Sequence, residues 1–169
     1  MAEVTPLGAV GRGLVAGVAG TAVMTAWQEL SARVRSSNES QNHDAQPAPE
    51  DPWAAASAPA KLARRVIEGG FDRHVSPERI GLLTNAMHWA YGTGWGAAYG
   101  LIEGTRPGRA LRRGLLFGTG VWASSYVTLV PMGLYEPPWK YSPSEVGLDL
   151  SYHLAYGAGV GAGYRLLDR

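Results

Sequence analysis

The sequence predicts an all-α polytopic membrane protein: a single membrane domain, 1–169, of four transmembrane helices arranged as two tandem helix-hairpin repeats. Three observations carry that expectation. Long windows free of charge occur in a chain whose average composition looks soluble. Glycine is abundant inside those windows, and a motif recurs in the same order in both halves.

Hydrophobic content is 46%, yet charged residues reach only 17%, below the roughly 25% of an ordinary soluble domain. The windows Ile80–Ile102 and Gly114–Tyr135 contain no Asp, Glu, Lys or Arg. Each is at least as long as the ~20 residues a helix needs to cross the hydrocarbon core. Two shorter uncharged runs, Gly13–Gln28 and Ser151–Tyr164, complete the set. They span if neighbours such as Arg12 and Arg165 snorkel to the interface. The first run also resembles a secretory signal cleaved after Ala26, but Met24 is a poor residue at the minus-three position.

The chain holds 23 glycines. In a water-exposed helix each costs about 1 kcal/mol, whereas in membrane helices glycine permits close backbone approach. Trp27, Trp53, Trp89, Tyr99, Tyr135, Trp139, Tyr141 and Tyr164 fall near segment ends, as interfacial aromatic belts do. With 15 basic and 14 acidic residues, bulk electrostatics argue for no nucleic-acid partner; the expected partner is the lipid bilayer. Cysteine is absent, which excludes disulfides, thiolate metal sites and Cys nucleophiles.

The first repeat, about 7–104, carries a polar insert at 31–79; the second covers about 105–169. The segment from His88 through Tyr91, Gly92, Gly94 and Gly96 to Tyr99 aligns without a gap with His153, Tyr156, Gly157, Gly159, Gly161 and Tyr164. Arg12-Gly13-Leu14 with Gly17 matches Arg113-Gly114-Leu115 with Gly118. Between these anchors, Glu50, Pro52 and Trp53 match Glu136, Pro138 and Trp139. Each half therefore reads as an Arg-Gly helix, a Glu-x-Pro-Trp outer loop and a His-x-x-Tyr-Gly helix. Within the insert, Ser36–Pro49 reads as disordered, and Pro59–Gly69 as a short surface helix with Leu62 and Val66 apolar.

Two spans per unit place both units the same way up. The shortest loop carries Arg106, Arg109, Arg112 and Arg113 against Glu103, so positive-inside bias makes it cytoplasmic. Both termini are then cytoplasmic, and the Glu-x-Pro-Trp loops lie outside. The last loop agrees, with Glu136, Glu145 and Asp149 against Lys140.

On a helix, His88, Gly92, Gly96 and Tyr99 share one stripe, as do His153, Gly157, Gly161 and Tyr164. The plain reading is helix packing through small-xxx-small contacts at Gly92, Gly96, Gly157 and Gly161, within one chain or in a homo-oligomer. The sharper reading turns the two grooves toward each other as a paired-His ligand or proton site of His88, His153, Tyr91 and Tyr156. Asp149 would then orient His153, while the first copy has Thr84 in its place. Such a pair suits proton-coupled transport, or haem or metal binding. No catalytic arrangement, resident cofactor or dedicated metal site is expected: nothing resembles a nucleophile elbow or a phosphate-binding loop.

Gly114-Leu-Leu-Phe-Gly118, then Val130-Pro131-Met132-Gly133-Leu134 with Pro137-Pro138, then Glu145–His153, resembles the YagU-like inner-membrane proteins. The resemblance covers mainly 113–169. That family has no established biochemical activity, and the resemblance implies a location in the bacterial cytoplasmic membrane and a link to stress or acid tolerance; the role expected of this multi-pass chain is structural or stress-related, without catalysis. The resemblance carries no catalytic residue across.

Overall fold

The computed structural model describes residues 5–39, 51–104 and 109–168. It is all-helical, with 83% helix and no strand among the described residues. The elements are α1 (Pro6–Glu39), α2 (Ala58–Phe71), α3 (Ile80–Gly104), α4 (Ala110–Leu129) and α5 (Pro143–Leu167).

Local sequence explains the helix ends. Ser142 caps α5: its hydroxyl accepts the Glu145 N–H, and the Glu145 carboxylate accepts the Ser142 N–H at 2.8 Å. Pro143 occupies the first turn, where a missing N–H costs nothing. At the end of α4, the Gly133 N–H donates to Val130 O and the Leu134 N–H donates to Leu129 O, both at 2.9 Å. Gly133 has φ +66°. That is a Schellman stop, in which glycine takes the left-handed position without a Cβ penalty. Pro-Met-Gly-Leu thus has a physical purpose as a helix terminator, whatever family it resembles.

α1 runs between α3 and α5 and packs antiparallel on both, while α4 packs antiparallel on α5. The row is therefore α3–α1–α5–α4, with α3 and α4 only lightly in touch. At 25 residues, α3 and α5 are each roughly 37 Å long, and the 20 residues of α4 make about 30 Å. Among the described residues one helix, over Pro6–Ser37, is long and apolar enough in mean hydropathy to be a candidate membrane span. The average fails elsewhere because glycine, tyrosine, tryptophan and histidine fill α3 and α5.

The distribution of side chains is unusual. Tyr99, Tyr156, Tyr164, Val121 and Val160 form the bundle core with Ala16, and buried glycines line the crossings. No leucine or isoleucine is buried among the described residues. Large apolar side chains point out instead, Leu116 at 64% and Val127 at 75% exposure.

The polar insert differs from expectation. Ser31–Glu39 continues α1 as helix, so Ser36–Glu39 is ordered; 40–50, with Glu50, lies outside the described residues. The short helix forms as α2 but buries Ala60 and Ala63, leaving Val66 exposed. Trp53 is no interfacial anchor. It is 6% exposed in a small core with Ala56, Ala60 and Val75, under the Arg64 guanidinium 4.7 Å from the ring centroid. Beside it Glu68 accepts the Val75 N–H at 3.1 Å and pairs with Arg64 at 2.9 Å. Those bonds, the backbone one foremost, hold its carboxyl below the usual range.

Candidate functional site

The glycine stripes are filled, each by its own hairpin partner. Gly92, Gly96 and Gly100 of α3 lie against Gly13 and Gly17 of α1. A Cβ on Gly17 would come 2.9 Å from both Gly92 O and Gly96 Cα. Gly157 and Gly161 of α5 lie against Ala110, Gly114 and Gly118 of α4, and a Cβ on Gly114 would sit 3.0 Å from Gly161 Cα. At such separations only glycine lets the backbones touch. The four packing glycines therefore serve contacts inside the chain. Their faces are not available to a second copy, contrary to one expectation above.

The grooves do not face each other either. The two crossings also differ in register. Gly17 meets Gly92 and Gly96 as Gly114 meets Gly157 and Gly161, so packing pairs Gly17 with Gly114. Sequence identity pairs Gly13 with Gly114, one helical turn away. Arginine beside glycine guided the sequence match, but what fixes a crossing is the absence of a side chain.

His88 and His153 sit in unlike settings. His88 Nε2 lies 3.2 Å from Thr25 Oγ1, whose hydroxyl also lies 2.9 Å from Thr21 O. His153 Nδ1 lies 2.9 Å from the Asp149 carbonyl oxygen and donates to it. The two imidazoles thus use different ring nitrogens on different partners, and no hydrogen bond joins them among the described residues. Asp149 fixes His153 by its backbone, not by its carboxylate as the spacing suggested. Its Oδ1 is 3.7 Å from Nδ1, while Oδ2 accepts from Trp122 Nε1 at 3.0 Å and Tyr126 OH at 3.2 Å. Tyr126 in turn stacks edge-on against Trp122, Tyr135 and Tyr141. Thr84, in the position matching Asp149, hydrogen-bonds Ser57 at 2.7 Å.

Tyr156 is buried and its hydroxyl donates to Gly92 O at 2.6 Å, tying α5 to α3. Tyr91, its sequence counterpart, is 43% exposed. Trp53 and Trp139 part in the same way, one buried and the other exposed; Glu136 pairs with Lys140 at 2.9 Å on the surface. Tyr99 and Tyr164 belong to the core and not to an interfacial belt.

Sequence reasoning passed over the most buried charge. Glu103 is 3% exposed and its Oε1 meets Arg113 at 2.7 Å, closing the α3–α4 connection. Tyr99 OH donates to Ala110 O at 2.6 Å in the same cluster. The available signal was Tyr99 four residues before Glu103 on one helix face. Arg12 pairs with Asp168 at 2.6 Å at this end of the bundle.

Two surface cavities open on α3 and on the α3–α4 side, of about 380 and 510 Å³. Neither is lined by His88, His153 or Asp149. Among the described residues no three His, Asp or Glu side chains converge as a metal site. Compared with known families, curated proteins and solved structures, the chain matches none.

Proposed function

We propose that the chain is a four-span membrane protein, both termini cytoplasmic, whose role is structural or stress-related and not catalytic. One observation carries the reading: among the described residues no leucine or isoleucine is fully buried, and the core of the bundle is built of glycine, alanine, valine and tyrosine. In water a bundle folds by burying its large aliphatic side chains. In lipid they gain nothing by burial, and close backbone packing holds the helices instead. A haem, metal or proton site at His88 and His153 has less support. Each imidazole has its own contact, His88 with Thr25 and His153 with the Asp149 carbonyl, and the glycine grooves that would have enclosed a ligand are occupied by helices.

The absence of cysteine makes the topology directly testable. Lys140→Cys and, separately, Gly108→Cys are labelled in intact cells with a membrane-impermeant maleimide. Reaction at position 140 alone supports both termini inside, and reaction at 108 alone inverts the topology. A protein found in the soluble fraction, with neither site reactive until lysis, refutes the membrane reading.

A further inference from the structure

The open side of the bundle has a chemistry of its own. α3 and α4 barely touch along much of their length, which leaves a groove of about 510 Å³ floored by Trp95, Phe117 and Val121 and walled by Ile102, Leu116 and Gly120. The aromatic rings meet edge to face at 5.8 Å, Trp95 on Phe117, and set a rigid floor. Among the described residues, Arg113 is the only charged side chain that lines the groove. Arg109 and Arg112 are exposed at the same N-terminal end of α4 as Arg113. Arg12, Arg109, Arg112, Arg113 and Arg165 face Glu103 and Asp168 alone among the described charges of that bundle end.

We infer that this groove binds one anionic phospholipid, an acyl chain lying on the Trp95–Phe117 floor and the phosphate headgroup at Arg109 and Arg112. The inference rests on the membrane reading above. An apolar channel that ends in excess positive charge complements a lipid in both of its parts. A zwitterionic lipid satisfies only the channel. A peptide or a second copy has no reason to need the cationic end. Glu103 does not oppose the headgroup, since it is buried and already paired with Arg113.

The test reconstitutes the full chain into phosphatidylcholine vesicles with rising phosphatidylglycerol, brominating the acyl chains of one lipid at a time. Trp95 quenching is taken as the difference between wild type and Trp95→Phe. Brominated phosphatidylglycerol is expected to quench at a several-fold lower mole fraction than brominated phosphatidylcholine. Arg112→Gln is expected to reduce that preference about fivefold, the weight of one surface arginine. Gly120 has open space where a Cβ would stand. Gly120→Leu should therefore keep the fold, fill the groove and weaken quenching by both lipids. Equal quenching by the two lipids, or a preference unchanged in Arg112→Gln, overturns the site while leaving the membrane reading intact. A chain that never enters the vesicles overturns that reading, and the site with it.

Discussion

Gly94 and Gly96 lie two residues apart on α3, and the same substitution at each should change stability in opposite directions. A Cβ on Gly94 meets nothing within 4 Å, whereas one on Gly96 would press into Gly17 Cα, Gly13 O and, at 2.7 Å, Gly17 N. Ordinary van der Waals contact begins near 3.4 Å, so α1 would have to retreat by roughly 0.7 Å or more; a gap of 0.5–1 Å forfeits about a quarter to a half of each contact well along the crossing. The obstacle is backbone on every side and has no rotamer to change. Overpacking of this kind costs about 1–3 kcal/mol, against an intrinsic gain of up to about 1 kcal/mol for alanine over glycine in a helix. Gly94→Ala should therefore stabilise by about 0.5–1 kcal/mol. Gly96→Ala should lose about 1–2 kcal/mol net. Unfolding of the detergent-solubilised protein, followed by circular dichroism against added denaturing detergent, reads both on one scale. If Gly96→Ala unfolds at or beyond the wild-type midpoint, α1 and α3 do not cross at that glycine, and the packing assigned here is wrong.

Three other outcomes follow from the same geometry. Gly133→Ala should cost about 1 kcal/mol, because φ +66° strains any Cβ; the denaturation midpoint checks it, and no change would remove the Schellman stop. Arg113→Ala should cost about 3 kcal/mol by leaving the buried Glu103 carboxylate without its partner, whereas the exposed pair Lys140–Glu136 should lose less than about 1 kcal/mol on Lys140→Ala. Glu145, outside the apolar part of α5, is held below its ordinary 4.5 by the Ser142 hydroxyl and then the Ser142 N–H. Its stabilising effect is therefore complete above pH 4.5 and declines as pH falls through the lower folded value. Glu145→Gln should remove that acid-dependent component from a pH series of midpoints, and an unchanged series would rule the capping box out as its source.

Much of the fold was legible because its signals are local. Charge-free windows located α3, α4 and most of α5, and Pro59 marked the start of α2. The Ser142-Pro143-Ser144-Glu145 run is a capping signature that needs no partner to be read. The same windows misjudged α1, since nothing in Ser31–Glu39 breaks a helix even though its composition is polar. Burial was far less legible. Trp53 and Trp139 share a motif, yet only Trp53 has α2 beside it to cover it, and α2 comes from an insert the second half lacks. Tyr91 and Tyr156 differ for a related reason. α5 packs on both α1 and α4, so its faces are nearly all used, while α3 keeps an open side next to α4.

That asymmetry bears on what the repeated motif is for. If His-x-x-Tyr-Gly encoded a two-fold ligand site, its two copies should present matching groups toward a shared axis. They do not: the histidines engage different partners through different ring nitrogens, one tyrosine ties α5 to α3 and the other is exposed, and the two crossings differ by a helical turn. What the copies share is the pair of glycines one turn apart: Gly96, Gly157 and Gly161 lie against backbone of the neighbouring helix, and Gly92 lies against the Thr21 side chain. The motif is best understood as the means by which each hairpin closes. The two halves are alike at glycines where helices touch and differ in the side chains around those contacts, where the open α3–α4 face leaves room for a different chemistry.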